Sequence, residues 1–139
     1  MNSPLFKSFF ITLLVVGFWN AIAFYFHLFD AITNFDMTFH FLGGFFIGLS
    51  ALTVLTATKN DVSYGKLLLW GVTTALVVGL LWEVYELSVG ITYWGMSFWP
   101  SWEYLADNGM DVTMDTFGGL VAVLYAYNKL RNFNYIKNF

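Results

Sequence analysis

The chain has 139 residues, of which 58% are hydrophobic and only 11% are charged, whereas soluble domains carry roughly a quarter charged residues. This composition excludes a soluble globular protein, and apolar runs of about 20 residues, the length that crosses ~30 Å of hydrocarbon, indicate an integral membrane protein. The absence of cysteine excludes disulfides, thiolate metal sites and a cysteine nucleophile. The net charge of −3, without a dense basic patch, argues against nucleic acid as a partner.

Four apolar windows predict transmembrane helices, at residues 8–28, 37–57, 67–87 and 112–128. They leave no room for a second domain, so the predicted fold is one all-α domain, a polytopic four-helix bundle in the membrane. The basic residues all lie before span one, between spans two and three, or after span four: Lys7, Lys59, Lys66, Lys129, Arg131 and Lys137. The positive-inside rule therefore predicts both termini on the cytoplasmic side of the inner membrane, with the acidic ends of the spans facing the outer side.

Spans one and two differ in their polar residues. Span one carries Asn20, predicted to make an interhelical hydrogen bond, and His27, predicted to lie at the membrane interface. Span two opens with Asp36 and His40, which share a helix face because they are four residues apart. Small residues continue that face and allow close approach of helices in lipid, so the stripe should face inward. Asp36 and Asp111, which each open a span, also fit the alternative of a helix cap.

Span three contributes Glu83 and Glu86 near its outer end. These carboxylates either face a site inside the bundle or approach the aqueous boundary and are solvated. The connection that follows, from Leu87 to Met110, is too long for a tight turn and is rich in aromatic residues around Pro100. It fits either an interfacial aromatic belt or a lid over a site on the outer face.

Span four repeats the pattern of span two. Residues 111–119 align with residues 36–44, and Asp115 stands in the place of His40. The shared pattern is Asp, apolar, Thr, apolar, His or Asp, any residue, apolar, Gly, Gly. The match falls at the same depth of two spans that run in the same direction. It predicts two transmembrane hairpins related by duplication about an axis along the membrane normal, with functional groups where the halves meet.

Facing inward, the spans would bring five carboxylates and one imidazole together below the outer surface. These residues are Asp36, His40, Glu83, Glu86, Asp111 and Asp115. An ionised carboxylate in hydrocarbon costs about 3 kcal/mol or more, and like charges raise the cost. The Lys and Arg side chains lie at the opposite ends of the spans, which leaves protonation, the two histidines or an external cation. A divalent metal is the best answer.

Carboxylates and histidine presented at i,i+3 and i,i+4 from facing helices are the ligand set of dinuclear sites in helical bundles. All six residues are predicted metal ligands, with Glu83 bridging and Glu86 serving as ligand or general base. The set is rich in oxygen, which favours Mn, Fe, Mg or Ca and also admits Zn. Such a site suits either activation of water at a phosphoryl group or activation of oxygen on iron.

Three short motifs carry a family resemblance: Asp36-x-x-x-His40, Trp82-Glu83-x-x-Glu86, and Asp111-x-x-x-Asp115 followed by Gly-Gly. On these motifs, spans two to four resemble the small bacterial membrane proteins of the YjdF type. More distantly they resemble the VanZ-like membrane proteins, which are associated with glycopeptide antibiotic resistance. The resemblance implies that these are recurring polar positions, and it brings no established reaction with it.

The leading functional hypothesis is a metal-dependent protein that acts on or recognises a lipid or lipid-linked substrate near the outer leaflet. One alternative is a cation- or proton-coupled transporter. The cytoplasmic halves of the spans are almost purely apolar, which disfavours a continuous transport path. The other alternative is an accessory subunit of a larger membrane complex, and a homo-oligomer is also compatible with the small size.

Overall fold

Within the described residues, all of the regular structure is helical. The computed structural model describes residues 3–59, 62–133 and 136, so that Lys137 lies outside them. The helices in chain order are α1 (Phe6–Tyr25), α2 (Leu28–Ala31), α3 (Asp36–Thr58), α4 (Tyr64–Trp94) and α5 (Trp102–Arg131). Four of them are long, which confirms the prediction of an all-helical chain with four principal helices.

The first helix ends earlier than the predicted span, which continued to residue 28. His27 takes a left-handed backbone conformation with a φ of 51°, and this conformation interrupts a right-handed helix of L-residues. Asn34 is also left-handed, with a φ of 57°, a conformation that Asn tolerates better than most residues. These two residues flank α2, where the chain turns back from α1 into α3.

The aromatic connection between spans three and four is mostly helical, contrary to the expected long loop. The helix α4 continues to Trp94 and α5 begins at Trp102, so only residues 95–101 connect them. Gly95 ends α4 with a φ of 67°, the left-handed conformation that glycine supplies at helix ends. The hydroxyl of Ser101 caps α5 by accepting a hydrogen bond from the backbone N–H of Tyr104.

Three of the long helices form the core, and the fourth lies on its side. Along α3 and α5 the contacts advance together, from His40 beside Asp115 to Gly48 beside Gly119, so these helices run parallel. The helix α4 runs against both of them. The helix α1 packs chiefly on α3, so the site lies within a three-helix core rather than on the axis of a symmetric four-helix bundle.

Glycine allows α3 and α5 to cross at backbone contact. A Cβ atom on Gly44 would overlap the backbone carbonyl of Asp115, and a Cβ atom on Gly118 would overlap the carbonyl of Phe41. This is the close approach that small residues permit between helices in lipid. The predicted inward stripe of small residues on each of these helices is therefore an observed packing surface. The duplication itself remains a prediction.

Among the described residues, three helices are long and apolar enough to cross a membrane: α1, α3 and the Tyr64–Thr92 part of α4. The helix α5, which contains the predicted fourth span, is not among them. The outer surface of α1 is strongly apolar, with Leu14 71% and Phe18 70% exposed. Such a surface is expected to face lipid rather than water.

The basic end of the molecule is held together by polar contacts. The ammonium group of Lys129 donates hydrogen bonds to the hydroxyls of Ser8 and Tyr125, and the Ser8 and Tyr125 hydroxyl oxygens are 2.8 Å apart. These contacts place the start of α1 beside the end of α5. The carboxylates discussed below lie at the other end of the core, while the cytoplasmic position of the termini remains a prediction.

Candidate metal centre

His40 on α3 lies between carboxylates from two other helices. Its Nδ1 atom is 3.1 Å from Oδ2 of Asp115 on α5 and 3.9 Å from Oε1 of Glu83 on α4. Its Nε2 atom is 3.8 Å from Oδ1 of Asp111. The imidazole therefore has a carboxylate near each ring nitrogen, and three helices supply the side chains.

The side chains of His40 and Glu83 are almost completely buried. The exposed fraction is 10% for the His40 side chain and 8% for that of Glu83. Both carboxylate oxygens of Glu83, and Oδ1 of Asp111, are buried without a hydrogen-bond partner among the described residues. An unsatisfied buried charged group costs several kcal/mol. The arrangement therefore calls for a proton or a cation between these oxygens.

In the part of the chain that the structure describes, two groups of side chains have the spacing of metal ligands. The inner group is His40, Glu83 and Asp115, each of which offers a ligand atom within 4.8 Å of the other two. The outer group is Asp36, Asp107 and Asp111, with the same spacing. His40 links the groups because Asp111 lies near its Nε2 atom. Five of the six predicted site residues thus come together, although in two neighbouring groups.

Glycine makes room for the carboxylate of Asp115. A Cβ atom on Gly79 would lie 2.5 Å from Asp115 Oδ2, the oxygen that faces His40. A Cβ atom on Gly43 would lie 3.8 Å from Oδ1 of the same carboxylate, which is an ordinary contact. Gly79 is therefore the residue that lets α4 approach the carboxylate on the side of the imidazole.

Asp36 is the first residue of α3, whose N-cap is Phe35 rather than Asp36 and which has no side-chain cap hydrogen bond. Its Oδ1 atom accepts a hydrogen bond from the backbone N–H of Met37 at 3.0 Å, so the carboxylate binds the free end of its own helix. The same residue belongs to the outer group. The Asp36 carboxylate therefore interacts with the start of its own helix and also lies near the carboxylates of Asp107 and Asp111.

Asp107, which the predicted spans leave in the connection between spans three and four, is exposed and belongs to the outer group. It lies on α5, which begins earlier than the predicted span and places Asp107, Asp111 and Asp115 at successive intervals of four residues. That spacing aligns them on one helix face. The same interval, extended one step upstream, is the signal in the sequence that identifies Asp107.

Glu86 lies outside both groups. Its side chain is exposed, and its Oε1 atom accepts a hydrogen bond from the indole Nε1–H of Trp82 at 2.8 Å. Glu83 and Glu86 are three residues apart, an interval that turns them about 60° away from each other on a helix. Only Glu83 faces His40.

Comparison with known proteins identifies the family and not a reaction. Neither the curated proteins nor the solved structures contain a significant match to the chain. One family model, described as a predicted membrane protein (DUF2238), matches residues 3–132. This match covers nearly the whole chain, including every helix and both groups of carboxylates. The chain therefore belongs to this family of predicted membrane proteins.

Proposed function

We propose that the protein binds a divalent cation at the inner group, through His40, Glu83 and Asp115. The observation that carries this proposal is the carboxylate of Glu83, whose two oxygens are buried without a hydrogen-bond partner among the described residues. A cation between Glu83, Asp115 and His40 would satisfy them and offset the repulsion of two nearby carboxylates.

The two nitrogens of His40 would have different roles. The Nδ1 atom faces Glu83 and Asp115, so it is the proposed ligand atom. The Nε2 atom faces Asp111, and a ligating histidine commonly directs its second N–H to a carboxylate that fixes the ring. Asp111 is thus proposed to orient the imidazole and to belong to the outer group at the same time. One nitrogen with several oxygens suits Mn, Fe, Mg, Ca or Zn.

A cation at this depth supports a reaction on a lipid or lipid-linked substrate. It would lie at the carboxylate end of a helical core whose outer surface is apolar, where a polar headgroup meets the end of the helices. A divalent cation held there by His40, Glu83 and Asp115 would polarise a phosphoryl group and lower the pKa of a bound water. Glu86, one turn from Glu83 and exposed, is the proposed general base.

Transport through the bundle has less support. Beyond the inner group, toward the basic end, the buried core is apolar, with Leu49, Leu52 and Val123 fully buried. The hydroxyls of Thr53 and Thr56 donate to carbonyls of their own helix. The described part of the core at that level therefore offers a cation few polar groups and no carboxylate.

We also propose that the protein lies in the inner membrane with the site on the outer side, and that its two hairpins are related by duplication. A distant relation to the VanZ-like proteins, and assembly as a homo-oligomer or with a larger complex, are further proposals. None of them is needed for the cation site.

Elemental analysis by inductively coupled plasma mass spectrometry tests the proposal. The full chain is purified in mild detergent without chelator, as wild type, Asp115→Asn and Glu83→Gln. We expect about one equivalent of metal in the wild type and a large loss in both variants, since each removes a charged ligand. Glu103→Gln, on the exposed first turn of α5, is the matched control and should retain the metal. Unchanged metal in Asp115→Asn, or no metal in the wild type after addition of divalent cations, contradicts the proposal.

A further inference from the structure

A cavity of about 290 Å³ reaches the inner group from the side of the bundle. Its walls are mostly apolar and come from three helices, with Val16 on α1, Ile47 on α3 and Val78 on α4. Among the described residues α1 makes no extensive contact with α4, and Val78 is exposed. The cavity therefore opens between α1 and α4, on the apolar surface of the molecule.

The polar lining of this cavity is concentrated at the level of the inner group. His40 and Asp115 line it, together with Asn20 of α1. Asn20 is exposed, and its amide has no hydrogen-bond partner among the described residues. An amide that faces hydrocarbon without a partner is costly. A ligand in the cavity is therefore expected to offer a polar group to Asn20.

Along α3 the cavity lining changes from polar to apolar, in the same order as the headgroup and hydrocarbon of a membrane lipid. His40 lies near the start of the helix, and Ile47 lies about 10 Å farther along it, at 1.5 Å per residue. A lipid that enters from the side would meet the polar groups with its headgroup region and the apolar walls with its hydrocarbon. The volume is near the lower end of the ~300–1,000 Å³ found for ligand pockets, which suits one chain rather than a whole lipid.

We propose that this cavity binds one hydrocarbon chain of a phospholipid, with an ester carbonyl accepting a hydrogen bond from Asn20 and the phosphate directed to the cation. The phosphate contact rests on the proposed function, because it requires the cation at His40, Glu83 and Asp115. The binding of the chain requires only the cavity. This identifies a phosphate ester with a hydrocarbon chain as the substrate class of the site.

Photolabelling of the reconstituted full chain tests this inference. Vesicles of phosphatidylethanolamine and phosphatidylglycerol carry a small share of phosphatidylglycerol with a diazirine on its acyl chain, and labelled residues are mapped by peptide mass spectrometry. We expect labelling of Val16, Ile47 and Val78 severalfold above that of Leu14, which is 71% exposed on the same surface. Excess unlabelled phosphatidylglycerol should compete, and Asn20→Leu should lower the selective labelling. Labelling in proportion to exposure alone overturns the inference.

Variants that fill the cavity separate this inference from the cation site. Ile47→Trp should abolish the selective labelling of Val78 while the metal content of the same sample stays at the wild-type level. Val78→Phe, at the exposed mouth, makes the equivalent test on the selective labelling of Val16 if Ile47→Trp does not fold. Bound metal without selective labelling overturns the lipid site and leaves the proposed function intact. Selective labelling in a protein that binds no metal overturns the proposed function and the phosphate contact, and retains the chain-binding cavity.

Discussion

His40 and Asp115 are 75 residues apart in the chain, and Nδ1 of the one lies 3.1 Å from Oδ2 of the other. Their helices run parallel and touch through glycine, so the contact is built into the closest crossing in the core. The aligned segments of spans two and four place these two residues at equivalent positions. A helix pair that packs side by side in the same direction thus brings equivalent positions of the two segments together, an imidazole from one and a carboxylate from the other.

The two glycines beside Asp115 should differ in their effect on metal binding. In Gly79→Ala the new methyl group would lie 2.5 Å from Asp115 Oδ2, so the carboxylate must turn away from His40. Gly43→Ala places its methyl group 3.8 Å from Oδ1, where no movement is needed. We expect about 10- to 100-fold weaker metal binding in Gly79→Ala, the range seen when the support of a ligand is lost, and near wild-type binding in Gly43→Ala. Titration of the metal-free proteins measures both, and equal affinities would contradict this account of the carboxylate.

The crossing of α3 and α5 should be the part of the fold most sensitive to added volume. In Gly118→Ala the methyl group overlaps the carbonyl of Phe41 and lies 2.6 Å from the backbone nitrogen of Phe45. Overpacking against backbone costs about 1–3 kcal/mol or more. Gly109→Ala, on the same helix, meets no atom within 4 Å and should be neutral or slightly stabilising, because alanine is the better helix former. Thermal unfolding in mild detergent compares them, and equal melting temperatures would show that the helices do not cross this closely.

Substitutions of Glu83 and Glu86 should have different effects on metal binding, although the two residues are only three positions apart. Glu83→Gln removes a charged group that faces His40, and we expect most of the bound metal to be lost. Glu86→Gln should retain the metal, because that carboxylate is exposed and hydrogen-bonded to the indole of Trp82. Metal analysis of the two variants is the measurement. Loss of metal in Glu86→Gln and retention in Glu83→Gln would reverse the assignment of the inner group.

Much of the fold follows from residue patterns that act locally. Long apolar windows predict the helices, and the four-residue intervals in Asp36-His40 and Asp111-Asp115 predict which side chains face inward. The position of α1 beside the core, rather than within it, depends on tertiary packing that no single helix encodes. The predicted spans are shorter than α4 and α5 because an apolar window stops where polar residues become frequent. In the structure α4 continues to its C-cap at Gly95, and α5 begins directly after its N-cap at Ser101.

The candidate site shows the same division between local and tertiary information. The sequence indicates an acidic end that includes His40, since the intervals and the small-residue stripes lie on shared faces. It does not separate an inner from an outer group, because that depends on the parallel crossing of α3 and α5. It also does not distinguish Glu83 from Glu86, whose difference is the rotation of α4 about its own axis. Asp107 was missed because the helix was assumed to begin after it.

The outer group allows a test of the repulsion among its three carboxylates. Asp107 and Asp111 are four residues apart on α5, and each has an oxygen within 4.8 Å of a carboxylate oxygen of Asp36. Like charges at this interval destabilise a helix by about 0.2–0.5 kcal/mol, and Asp36 adds to the repulsion. In the presence of chelator, Asp107→Asn should therefore raise the melting temperature by about 1–2 °C or more.

The rise in melting temperature should be smaller when a divalent cation is present. Divalent cations in solution gather near clustered carboxylates and screen their repulsion, so Asp107→Asn, which carries less negative charge, should gain less from added metal than the wild type. Glu103→Gln, one turn before Asp107 on the exposed start of α5, removes the same charge from outside the group. It should lower stability slightly in both conditions, because a carboxylate in the first turn favours the helix. An Asp107→Asn variant that melts lower in chelator would mean that these three carboxylates do not repel one another in the metal-free protein.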